Sequence, residues 1–97
     1  MENAISSEQR LQLCRLVMTP GVRHLVQEGQ LDPLVYLERH LSGDWGNVSE
    51  PDRRANEQAL RHKDRVLSSY QIAPTLILWI ITECDRSATT LLLPHEY

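Results

Sequence analysis

The hydrophobic pattern changes period once along the chain, near Asp64. Before it, apolar residues recur at helical spacing in short blocks separated by turn residues; after it, they form dense runs with a polar break. Thr19-Pro20 reads as an N-cap followed by proline at the first helical position, where no N–H is needed. The helix it opens carries Val22, Leu25 and Val26 on one face and is expected to stop at Gly29, a good left-handed residue. Asp32-Pro33 repeats the device, with Leu34, Leu37 and Leu41 at helical spacing and an end at Gly43. Ser49 starts a third helix over Glu50 to Arg61, with Pro51 in its first turn and Asp52 as capping-box partner. Only Ala55, Ala59 and Leu60 form its apolar stripe, as expected of a surface helix.

The second half predicts strands at Val66 to Gln71, Leu76 to Thr82 and Thr89 to Leu93. Leu76 to Ile81 is apolar at consecutive positions, which places that strand at the centre of a sheet. Short connections make the three an antiparallel meander. Leu11 to Met18 alternates like a strand without excluding a helix capped at Ser6; a strand at its end, joining the same sheet, is favoured. Residues 1–9 are expected to be a loosely ordered N-terminal segment. The fold class is therefore α+β: a small antiparallel sheet of three to four strands, packed on one face by two or three short helices. The other face of such a sheet is left for homodimerisation or binding.

With 97 residues, the chain is expected to be a single domain with one modest core. Its net charge of −3 argues against binding nucleic acid by bulk phosphate neutralisation. No apolar run approaches the ~20 residues of a membrane span, and the polar start has no signal-peptide core, so a cytoplasmic protein without a membrane partner is expected. Arg53, Arg54, Arg61 and Lys63 are the candidate phosphate contacts for the nucleic-acid alternative, but Asp52, Glu57 and Asp64 interleave with them as on a solvated helix face. Cys14 and Cys84 have no metal or disulfide spacing and read as small buried thiols. None of His24, His40, His62 and His95 is spaced for zinc; His40, near the Gly43–Gly46 box, is best placed for a specific hydrogen bond.

Two motifs stand out. Gly43-Asp44-Trp45-Gly46 reads either as a structural turn, with Trp45 plugging the core edge, or as an exposed tryptophan anchor for a partner. The polar block Thr82 to Ser87 reads either as a solvated hairpin tip or as a working surface. Arg86 with Ser87, Thr89 and Thr90 has the donors for an anion. Asp44, Glu83 and Asp85 are the carboxylates a metal-dependent hydrolase would use, a weak pattern without paired histidines or a phosphate loop. No catalytic residue, metal or cofactor is assigned.

The stretches HLSGDWGNVSEPDRRANEQAL, RVLSSY and LWIITECDRSATTLLLPHEY together resemble a family of small uncharacterised proteins of bacterial plasmids, phages and integrative elements. Its hallmarks are a G-D-W-G box, a D-x-x-x-N helix, an LS-x-Y strand and a C-terminal WIITE-x-DRS-x-TT-x-LLP-x-EY run. The resemblance covers the chain from His40 onward, and the part before it mainly through the Met18-Thr19-Pro20-Gly21 turn. Cys84 departs from it, standing where a small residue is expected. The resemblance implies a mobile-element accessory protein and carries no activity. Some members are labelled restriction–modification subunits, yet this chain is too short for a methyltransferase cofactor fold.

The resulting expectation is a non-enzymatic protein that docks onto a host or mobile-element protein, an anti-defence inhibitor being one concrete version. Its candidate contact residues are Asp44, Trp45, Glu83, Asp85, Arg86 and Thr89.

Overall fold

Proline marks each helix start in the computed structural model, which describes residues 11–12 and 15–97. Strand β1 (Leu16–Met18) leads into α1 (Pro20–Gln27), α2 (Pro33–Leu41) and α3 (Glu50–His62). Strands β2 (Val66–Ala73), β3 (Leu76–Thr82) and β4 (Thr89–Leu92) follow, then a single 3-10 turn at Pro94–Glu96. This is an α+β fold. The expectations for residues 1–9 and for Cys14 lie outside the described residues.

The sheet has the order β1-β4-β3-β2. β2, β3 and β4 form the expected antiparallel meander, with Ser68 opposite Ile80 and Ile80 opposite Leu91. β1 corrects the expectation of an antiparallel sheet: it pairs with β4 in parallel, Leu16 opposite Thr89 and Met18 opposite Leu91. The sheet is therefore mixed. A parallel neighbour needs a long crossover, and the chain supplies one between β1 and β4 through the helices and the first two meander strands.

Side chains alternate between the two faces. Val66, Ser68, Tyr70, Leu78, Ile80, Thr82, Thr89 and Leu91 point to the helices and are all buried. Val22, Leu31 and Leu37 pack onto Tyr70, Leu78, Ile80 and Leu91 as the main core. Each fully buried Leu or Ile contributes roughly 1.5–3 kcal/mol. A smaller cluster of Leu11, Trp45, Ala59 and Val66 sits under α3.

Three expectations about burial change. In α2 the buried residues are Leu37 and His40, while Leu34 is 62% exposed. In α3, Asn56 and Ala59 are buried and Ala55 is exposed. Cys84 is exposed, because it sits in the turn beyond the strand ends.

The start of α1 is fastened by the far end of the chain. The Glu96 carboxylate accepts from the Thr19 hydroxyl (2.5 Å), the Gly21 N–H (2.8 Å) and the Leu93 N–H (2.9 Å). Thr19 stands at the N-cap as expected, but its side chain makes no cap bond to α1 and donates instead to Glu96, which accepts from the Gly21 N–H. Burial opposes ionisation of Glu96, yet these three donors together hold its carboxyl below the usual range. Gly21 permits the approach: a Cβ there would lie 2.7 Å from Glu96 Oε2 and 2.9 Å from Leu93 Cδ1.

Candidate functional site

The Gly43–Gly46 box follows α2 directly. Gly43 (φ 93°) turns the chain, and the Asp44 N–H donates to the Arg39 carbonyl at 2.8 Å. Arg39 returns the contact with two side-chain bonds to Asp44, from Nε at 2.7 Å and from Nη2 at 3.3 Å. The Arg39 hydrogen bond is the main reason the Asp44 carboxyl is held below its usual range. The guanidinium also lies 4.7 Å from the centre of the Tyr70 ring, whose hydroxyl donates to the Asp44 carbonyl at 2.5 Å. Burial of Tyr70 pushes its phenol up to about 12.

What this box does is close the outer edge of β2. Ser69 N–H donates to the Trp45 carbonyl (3.0 Å), and the Ser69 carbonyl accepts from Asn47 N–H (2.6 Å). Gln71 N–H donates to Asn47 Oδ1 at 3.2 Å. On the other side, the Asn56 side chain imitates a strand: its Oδ1 accepts from Leu67 N–H at 3.1 Å and its Nδ2 donates to the Leu67 carbonyl at 2.7 Å. The outward-facing backbone of Leu67, Ser69 and Gln71 is thereby engaged. An open strand edge is a template for unwanted pairing; here two asparagines and a tight loop block it. Gly46 (φ 75°) fits against this edge only because it lacks a Cβ, which would collide with the Ser69 carbonyl and the Tyr70 ring.

Behind the box runs a buried polar chain. His40 is fully buried, with Nδ1 2.6 Å from Ser68 Oγ and Nε2 2.8 Å from Thr82 Oγ1; Thr82 Oγ1 is in turn 2.8 Å from Thr89 Oγ1. Trp45 packs edge-on to the imidazole, ring centres 5.8 Å apart. A neutral imidazole donates from one nitrogen and accepts at the other, so two rotatable hydroxyls satisfy it. Desolvation by burial lowers its pKa to about 4. The specific hydrogen bond expected of His40 is present twice over. The indole Nε1 of Trp45 is buried without a partner among the described residues.

The Thr82–Ser87 block is a turn docked on the end of α3. Arg86 takes a left-handed conformation (φ 62°) and donates to the carbonyls of Asp64 (2.7 Å), Glu83 (3.1 Å) and Ala59 (2.8 Å). Carbonyls at a helix C-terminus favour a cation, and Arg86 fills that role at Ala59, whose carbonyl also accepts from the Lys63 and Asp64 N–H groups. Asp85 Oδ1 accepts from Ser87 N–H at 3.0 Å; the hydrogen bonds of Ser87 hold the Asp85 carboxyl below its usual range.

The six candidate contact residues therefore do not form one surface. Trp45 (3% exposed) and Thr89 (1%) are inside the protein, which removes the exposed tryptophan anchor as a reading. Asp44 is tied to Arg39, and Arg86 to carbonyls. Glu83 and Asp85 remain exposed on the turn. Box and turn are linked through α3, whose Ala59 belongs to the Trp45 cluster and gives its carbonyl to Arg86, and through His40, which packs on Trp45 and bonds Thr82.

On α3, Arg53 bonds to Glu50 and, at 2.8 Å, to Glu57, and Arg54 lies 3.6 Å from Glu50. Arg54, Glu57, Gln58 and Arg61 line a shallow open depression of mixed charge. Lys63 caps the helix in the left-handed region (φ 57°). Among the described residues no three His, Cys, Asp or Glu side chains converge as metal ligands. No described helix is long and apolar enough to cross a membrane.

The internal partnerships of Asn47, Asn56, Ser68, Thr82 and Glu96 were not read from the sequence. One local signal was Asn56 three residues before Ala59, which puts an amide on the buried stripe of a helix. The chain matches no protein-family model, no curated protein and no solved structure.

Proposed function

We propose that this chain is a small non-enzymatic binding protein that docks onto a larger protein through the helix-free face of its sheet. The observation that carries the reading is the character of that face. Leu67, Ile77, Trp79, Ile81 and Leu92 point away from the helices; Ile81 and Leu92 are buried, Leu67 and Trp79 are half-buried, and Ile77 is 41% exposed. Tyr97, 67% exposed, lies beside Trp79. Aromatic and aliphatic groups presented on a rigid sheet are what a protein partner buries most favourably. The polar groups of the two motifs and their surroundings support the same reading, since Asp44 and Arg86, like His40, Asn56 and Glu96, are spent on internal hydrogen bonds. The nucleic-acid alternative loses weight with Arg53 and Arg54, whose charge is matched by glutamates on their own helix. A mobile-element setting and an anti-defence role rest on the motif resemblance and belong to this proposal.

The test is affinity capture with surface variants. A protein retained by the wild type and by Arg61→Glu but lost with Ile77→Lys supports the reading. Loss with Asp85→Lys and retention with Ile77→Lys would move the contact to the turn. A gel shift at low salt that Arg53→Glu and Arg54→Glu abolish would favour nucleic acid instead.

A further inference from the structure

Tyr97 occupies a defined place on the helix-free face. Its ring stands edge-on to Trp79, with centres 5.9 Å apart and planes at 75°. Its hydroxyl accepts from Arg65 Nη1 at 2.6 Å, and the Arg65 guanidinium lies 5.5 Å from the ring centre. The residues just before it are fixed differently. Leu93 is buried in the main core and Glu96 is held by three donors at the start of α1. The backbone is thus anchored through the Tyr97 N–H, which donates to the Pro94 carbonyl at 3.2 Å, whereas the Tyr97 side chain lies on the face and the residue is 67% exposed. Rotation of one side chain would clear the position.

We propose that Trp79 and Arg65 form a shallow slot for a tyrosine side chain, that Tyr97 fills it in the free protein, and that a partner docks by inserting a tyrosine of its own in its place. This rests on the docking reading above and adds the chemistry of the contact. The slot offers an indole for an aromatic ring and a guanidinium donor for the phenol oxygen, so both ends of a tyrosine are recognised. Phenylalanine leaves the Arg65 donor unanswered. Tyr97 is then an autoinhibitory plug: its occupancy lowers the apparent affinity of any competitor by the fraction of time the slot stands empty.

The test uses the whole chain and N-acetyl-tyrosinamide, followed by the Trp79 indole N–H resonance, which Trp79→Phe assigns. Tyr97→Ala should show a saturable shift of that resonance. The wild type should need at least about threefold more probe, the factor for a slot empty a third of the time. N-acetyl-phenylalaninamide should bind Tyr97→Ala more weakly, and Arg65→Ala in that background should erase the preference. No saturable shift in Tyr97→Ala, equal affinity in wild type and Tyr97→Ala, or no tyrosine preference overturns the proposal. A wild-type dimer that Tyr97→Ala dissociates also overturns it, since the plug would then come from a second copy. Because only the free protein and a small amide are used, failure here leaves docking by the helix-free face standing, and loss of that docking leaves this result intact.

Discussion

Acidification should loosen this fold through His40 before it reaches the carboxylates. The ring is fully buried between two hydroxyls, with a folded-state pKa of about 4 against an ordinary 6.5. Between these values the unfolded chain holds a proton that the folded protein refuses. Stability is therefore full above pH 6.5, falls as pH drops below it, and stops falling below the folded value. At about 1.4 kcal/mol per pH unit the whole effect is about 3 kcal/mol, of which about 2 kcal/mol is lost between pH 7 and pH 5. That loss is a sizeable part of the ~5–15 kcal/mol of a typical domain. Urea unfolding at half-unit intervals from pH 7.5 to 4.5, on the wild type and His40→Gln, measures it. Glutamine keeps a donor and an acceptor but cannot titrate, so its midpoint should stay nearly level where the wild type's falls. Parallel profiles for the two proteins, or an imidazole that titrates near 6.5 in the folded state by NMR, would refute the reasoning.

The edge closure of β2 can be tested at one residue. Asn56→Ala strands the Leu67 N–H and carbonyl and should cost about 2 kcal/mol in chemical denaturation, with a rise in self-association by light scattering. Glu96→Gln should lower stability by about 1 kcal/mol, as loss of a charged helix cap does, and Gly21→Ala should do at least as much through its contact with Glu96 and Leu93; thermal melts compare them. Glu96 has a depressed carboxyl, so its contribution is present above the ordinary glutamate range and is lost as pH falls through the folded value. Lys63→Gly relieves a left-handed residue at the end of α3 and should raise stability by about 0.5–1 kcal/mol, read from the same melts.

Local signals carried the element map because each is a local physical fact. Proline at N1 and glycine after the last turn need only their own backbone geometry, so α1 and α2 start at Pro20 and Pro33, and Gly29 (φ 72°) and Gly43 follow their ends. Ser49 accepts from Asp52 N–H at 3.2 Å for the same reason. The meander follows from short connections, and β3 is central as its unbroken apolar run requires. The α+β class needed nothing further.

Partnerships between distant residues belong to the tertiary structure alone. Nothing near Thr19 announces that Glu96 will cap α1, and nothing near Leu67 announces the Asn56 amide at its edge. Direction in a sheet is likewise set by where the chain re-enters, which is why β1 lies parallel to β4. The same holds for the site. Asp44, Trp45, Arg86 and Thr89 have side chains suited to recognition, yet Asp44, Arg86 and Thr89 are bonded within the molecule and Trp45 is packed in its core. Composition sets what a side chain can bond to; only the packed fold decides whether that bond is made within the protein or left for something else.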